Sequence, residues 1–406
     1  MQIIEQFHHK KSLQPIQPFQ PLQLLITLPR KQYDLEAYLP GILFALLFAC
    51  FITQLFYLIY YHRRLSRYAP LEELKNADLP ISVIISARNE EQNLLNNLPS
   101  ILEQDYPDFE VIVVNDCSLD ETEQVLKDLG IRYSNLKTVN VTENDRFKTG
   151  KKFALTMGIK AAKNEHLLFT DADCRPASKN WIARMALNFT SPAEIVLGYS
   201  PYITTGGFLN NFIRFETIRT AVNYLSAALA GNAYMGIGRN LAYTKTLFFK
   251  NKGFASHMHV MSGDDDLFVN ENATTDNTVI EIHPEAFTYS PAKASFSALY
   301  RQKRRHMGVG KMYRNKHRRM LSFDALTGFL FYILVVLCLI FGHDPLLALG
   351  ALLFRIITEL ILYYKIFRKL DGKNLIWYLP FFDLVYYVYL NIFGVIGTFI
   401  KTTQWK

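Results

Sequence analysis

Four stretches of this chain are nearly free of charge. Residues 39–61 carry no Asp, Glu, Lys or Arg, and Thr53 and Gln54 are their polar interruptions. Residues 323–341, 346–367 and 376–400 are three further apolar runs near the C-terminus. Each is long enough, as a helix, to cross the hydrocarbon core of a bilayer. Residues 346–367 contain Arg355 and Glu359, one helical turn apart on one face. Charges placed there should face protein or pair with each other rather than meet lipid. Between the first run and the other three, the pattern changes to short apolar segments alternating with amphipathic ones. Residues 81–86, 109–114 and 167–170 read as buried strands, and 89–104 and 121–129 as helices. Strand–helix alternation predicts an α/β domain with a mostly parallel sheet. In 206–234, Phe208, Phe212, Phe215, Ile218, Val222 and Leu225 recur at helical spacing. That pattern fits a core helix or one lying on the membrane surface.

Composition supports the division. Half of the 406 residues are hydrophobic and 20% are charged, with a formal charge of +8. Much of the basic excess lies between Arg301 and Arg319, directly before an apolar run. This position favours lipid headgroups and retention on the cytoplasmic side over nucleic acid. His62, Arg63, Arg64 and Arg67 follow the first run in the same way. The expected organisation is a disordered tail at 1–38, a span at 39–61 and a linker at 62–78. A domain at 79–300, a basic segment at 301–320 and about three spans at 321–402 complete it. The Gln- and Pro-rich start lacks the pattern of a secretory signal. Cys50, Cys117, Cys174 and Cys338 form no paired motif that would suggest a zinc site.

The candidate chemistry lies in three acidic groups. Asp116 closes the run Val111–Val114, Asp171 and Asp173 follow 167–170, and Asp264, Asp265 and Asp266 are consecutive after Gly263. An acid closing a buried strand is delivered to a sheet edge, where open α/β folds bind ligands. Asp116 is equally at home as a turn residue. In an extended chain Asp171 and Asp173 would point the same way, towards one hard cation such as Mg2+ or Mn2+. Such an ion can stabilise a departing diphosphate. Crowded carboxylates raise one another's pKa, which suits the Asp264–Asp266 group to proton abstraction.

In this order, and with Gln302, Arg305 and His306 following, these residues resemble the family 2 glycosyltransferases in their membrane-integral form, over about 81–306. The resemblance implies a GT-A (Rossmann-like) domain and a nucleotide-diphosphate sugar donor. It also implies an inverting transfer to a lipid-linked or other membrane-associated acceptor. By the same resemblance Ala87, Arg88, Glu90, Asp116, Lys151, Asp171 and Arg305 would bind the donor, Asp173 (with Asp171) the metal, and Asp265 would be the base. Asp264, Gln302 and His306 would form the acceptor site. The chain has Ser86 where the family often has Pro, Thr156 for a common Asn, and His306 for the Trp of a Gln-x-x-Arg-Trp element. The last departure bears on acceptor stacking. The expected location is a multi-pass cell membrane protein with a cytoplasmic domain. A processive polysaccharide synthase would share these motifs. A nucleotidyltransferase leaves the 302–306 tract unexplained, and a scaffold leaves the acids unexplained.

Overall fold

The computed structural model describes residues 35–74, 79–142, 150–260 and 262–399; the expected tail falls largely outside them. The first apolar run is α1 (Leu35–Phe56), which passes through a π-helical stretch (Tyr57–His62) into the short α2 (Arg63–Arg67). The α/β domain follows. Strand β1 (Ile81–Ala87) leads to α3 (Glu91–Leu102), β2 (Phe109–Asp116) to α4 (Thr122–Arg132), and β3 (Leu136–Val141) to α5 (Lys151–Ala161). Next come β4 (His166–Phe169), β5 (Arg175–Pro176), α6 (Trp181–Ala186), β6 (Ile195–Leu197) and the long α7 (Gly207–Leu229). Strand β7 (Leu241–Thr244), α8 (Lys245–Lys250), α9 (Asp266–Asn272), β8 (Thr278–Ile280) and β9 (Thr288–Tyr289) close the domain. Helix α10 (Phe296–Met307) then leads to α11 (Asn315–Phe341), α12 (Pro345–Lys369) and α13 (Leu379–Phe399).

Seven strands form one sheet in the order β3-β2-β1-β4-β7-β6-β8. Strands β3, β2, β1 and β4 run parallel, and β7 enters antiparallel to both β4 and β6. The expected mostly parallel sheet is present, with β7 as its reversal. Strand β1, with Ile81, Val83, Ile84 and Ile85, is buried along almost its whole length, as a strand covered by helices on both faces is. Because β1, β2 and β4 are parallel, their C-terminal ends open on one edge of the sheet, with Ala87 level with Asn115.

Among the described residues, four helical stretches are long and apolar enough to cross a membrane: Tyr38–Arg67, Asn315–Phe341, Pro345–Lys369 and Lys373–Val395. The second begins earlier than the hydrophobic run alone suggested, inside the basic segment. Arg355 does pair with Glu359, at 3.4 Å, and also with Asp383 at 2.8 Å, all three being buried. The choice left open for α7 falls to the core. Its Tyr224 hydroxyl donates to the carbonyl of Gly198 on the sheet side at 2.7 Å. Phe212 packs on Phe382 of α13, and Arg219 meets Asp383 at 3.2 Å. From Asn210 onward the buried residues of α7 lie around the helix, whereas a helix lying on a bilayer surface would keep one polar face in water.

Candidate active site

The sheet edge gathers three loops. At the end of β1, Ala87 is fully buried. Asn89 adopts a positive φ of 54°, and its side-chain carbonyl accepts from the amide of Leu119 at 2.7 Å. Its own amide donates to Ser118 Oγ at 3.0 Å, and the amide of Glu90 donates to Thr122 Oγ1 at 3.0 Å. Asp120 accepts from the amides of Glu91 and Thr122, so the turn chemistry of this stretch belongs to Asp120. Asp116 is free of that duty. It is 1% exposed, neither carboxylate oxygen has a hydrogen-bond partner, and the guanidinium of Arg88 stands 4.0 Å away. Burial pushes its pKa up, against the Arg88 charge. A buried, unbonded carboxylate costs free energy unless a ligand supplies donors.

Beyond β4 the chain does not stay extended. The amide of Cys174 donates to the carbonyl of Asp171 at 3.0 Å, closing a turn over 171–174. The expectation that alternation along an extended strand aims Asp171 and Asp173 together is therefore corrected: a turn, not strand pleating, sets their directions. Asp171 receives the ammonium of Lys151 at 2.9 Å, and Asp264 receives the same ammonium at 3.1 Å. Lys151 opens α5 directly after Gly150. Burial opposes its charge, but the carboxylates of Asp171, Asp264 and Asp265 outweigh that and hold it well above the usual lysine range. Lys152 points away, its ammonium donating to the carbonyls of His257, Val260 and Ser262 at 2.7, 2.9 and 2.8 Å.

The three consecutive acids separate as adjacent residues must. Asp264 and Asp265 line a cleft with Lys151, Thr170, Asp171 and Gly238. Asp265 caps α9: one oxygen accepts from the amide of Asp266 at 2.8 Å, the other from that of Gly238 at 2.6 Å. Burial and the Asp264 charge push its pKa to about 6. Asp266 turns away from the cleft, and its carboxylate accepts from the Tyr313 hydroxyl at 2.8 Å. Burial and Asp265 push Asp266 to about 8.

The cation question turns on the donor set. Burial and Asp171 push the pKa of Asp173 up, and Glu90 adds to that, while Arg239 opposes it. Among the described residues, no group of three or more His, Cys, Asp or Glu side chains is placed to hold a metal ion. Asp171 and Asp173 alone would leave most ligands of a Mg2+ or Mn2+ ion to phosphate oxygens and water.

Two functional neighbours carry no motif. The amide of Gly238 holds Asp265, and a Cβ at this position would come within 3.3 Å of that carboxylate and 3.4 Å of the Lys151 ammonium. Arg239 stacks over Tyr202 at 4.3 Å and donates to Ser290 Oγ and to the carbonyl of Ser200. On α10, Gln302 reaches the Tyr202 hydroxyl at 3.3 Å, and Lys303 pairs with Glu216 of α7. Part of the basic tract thus binds protein. The side chains of Arg305 and His306 lie outside the described residues.

A mostly parallel sheet of this order, with acids at its edge, has the architecture of the GT-A glycosyltransferases, and the comparisons agree. Residues 82–261 match the model of Glycosyl transferase family 2. A 4,4'-diaponeurosporenoate glycosyltransferase of Staphylococcus aureus is 31% identical over 143 residues, which are 35% of this chain and 37% of the relative. The chain thus matches little more than a third of that relative's length. The solved mannosyltransferase from Pyrobaculum calidifontis in complex with GDP-Man and Mn2+ superposes with a TM-score of 0.53 at 17% identity. The superposition covers 87% of this chain and 99% of the other. The fold is the expected GT-A fold.

Proposed function

We propose that this protein is an inverting glycosyltransferase that moves a sugar from a nucleotide-diphosphate sugar to a lipid-linked or other membrane-associated acceptor. The observation that carries the reading is the convergence of Asp171, Asp264 and Asp265 around Lys151 at the open sheet edge, beside the unsatisfied carboxylate of Asp116. Asp116 accepts hydrogen bonds from the nucleoside, with Arg88 at its side. Asp173 and Asp171 would hold Mg2+ or Mn2+, which would stabilise negative charge on the leaving diphosphate. Lys151 adds a fixed positive charge on the same side of the cleft. Asp265, held by two backbone amides, takes the proton from the acceptor hydroxyl as that oxygen bonds to the anomeric carbon. The carbon–oxygen bond to the diphosphate breaks, and the nucleoside diphosphate leaves with that electron pair. The solved neighbour's GDP-Man and Mn2+ support the donor class. The four apolar helices joined to the domain support an acceptor that arrives from the bilayer. The catalytic domain is cytoplasmic in this reading.

The test is a screen of nucleotide-sugars against membranes holding the full chain, with Mn2+ or Mg2+ and extracted lipids as acceptors. Transfer of one labelled sugar to the lipid fraction, lost on chelation, is the expected result. Long polymeric product would instead indicate a processive synthase, and absence of transfer from every donor would sink the reading.

A further inference from the structure

Helix α9, which starts from the Asp265 cap, is gripped by the segment that leads into α11. Tyr313 donates to Asp266, and the amide of Arg314 donates to Asn270 Oδ1 at 2.8 Å. The Arg314 guanidinium reaches the carbonyl of Glu271, and Asn270 Nδ2 contacts His317 Nδ1 at 3.0 Å. His317 then reaches Asn232 at 3.1 Å, and Asn270 also donates to the carbonyl of Tyr234 at 2.8 Å. Val309 packs within 3.0 Å of where a Cβ on Gly263 would stand, just before the acids. Every turn of this two-turn helix is therefore tied to residues 309–317. That segment is continuous with α10, which carries Gln302, and with α11, which is apolar enough to span a membrane.

From these contacts we infer that Tyr313 is a positioning residue for the catalytic base, acting through Asp266 to hold Asp265 against Gly238. The inference rests on the proposed reading of Asp265 as the base. Tyr313 touches Asp266 from outside the cleft, and its ring lies 6.0 Å from that of Tyr234. It therefore acts on the direction of the base without touching donor or acceptor. Without its hydroxyl, the Asp266 carboxylate loses a side-chain donor, and the turn bearing Asp265 loses one of its anchors beyond α9. A base displaced by a fraction of an ångström loses alignment with the acceptor hydroxyl, while the donor pocket built from β1, β2 and β4 is untouched.

The experiment compares full-length wild type, Tyr313→Phe, Asp266→Asn and the double variant in membranes, using the donor that supports wild-type transfer. Tyr313→Phe keeps the ring and its packing. Its kcat is expected to fall by about tenfold or more, with the donor KM and the affinity for the matching nucleoside diphosphate with Mn2+ changed less than about twofold. Because the hydroxyl acts through Asp266, the double variant should lose no more than the worse single variant, within about twofold. A wild-type kcat in Tyr313→Phe overturns the inference while leaving the functional reading standing. So does a double-variant loss equal to the product of the single losses, or a loss of nucleotide affinity that matches the loss of rate. Absence of transfer by the wild type removes the functional reading and this inference with it.

Discussion

Asp265 acts, in the proposed mechanism, as a carboxylate that must be free of its proton. With its pKa raised to about 6, it is protonated below that pH and ionised above it. The rate of transfer at saturating donor is therefore expected to climb through pH 6 and level off towards neutrality. Asp265→Asn keeps the shape and cannot accept a proton, so kcat should fall by about 10²–10⁴-fold with donor affinity retained. The residual rate should lack the acid limb, and a pH–rate profile of the variant checks both points. Asp173→Ala has the opposite signature: Mn2+-dependent affinity for the donor should disappear, as titration of nucleotide binding with and without the ion would reveal. Asp116, Asp171 and Asp173 were legible from sequence because each closes or follows an apolar run, and Asp264–Asp266 because they are three consecutive acids. Gly238 was not, because it acts through a backbone amide and its lack of a side chain. Arg239 and Tyr313 were not, because each meets its partners across a long chain separation.

Among the elements, β1, β2 and β4 could be read from sequence since each is a continuous apolar run with a clear end. Strands β6 and β8 have three residues and β7 four, too few to show a period, and the antiparallel entry of β7 depends on pairing that no local pattern encodes. The turn at 171–174 was hidden for a related reason: two acids spaced by one residue look alike in a strand and in a turn. Helix α5 shows a division of labour between neighbours. Lys151 faces the acids, while Lys152 is buried and ties the helix to the loop over 257–262. Lys152→Met removes the charge and leaves three carbonyls without their shared donor. The expected cost is about 2–3 kcal/mol, read as a lower midpoint in thermal unfolding of the detergent-solubilised protein. An unchanged midpoint would show that water takes the place of the ammonium.

Across the whole molecule, the charge pattern predicts orientation. Basic residues flank the domain at both membrane junctions, His62–Arg64 on one side and Lys316–Arg319 on the other. Ile131 is exposed on the domain surface. A cysteine placed there should resist a membrane-impermeant thiol reagent in intact cells and react after permeabilisation. Within the bundle, Arg219 of α7 is fully buried against Asp383 and Glu359, and its guanidinium lies over the rings of Tyr363 and Tyr386. Arg219→Met should destabilise the protein by about 3–5 kcal/mol, since it leaves buried carboxylates short of a counter-charge. Denaturation in detergent would measure that loss. The placement of Arg219 also bears on how such a protein can be inherited or cut. Helix α7 is threaded in sequence through the sugar-transfer domain, yet one of its faces is completed by helices that are synthesised a hundred or more residues later. A fragment ending before α11 would hold a bare cation and a greasy aromatic surface in water, so it should aggregate rather than behave as a soluble enzyme. Recombination that exchanges the anchor of one such protein for another would meet the same obstacle, because half of the seam would be missing.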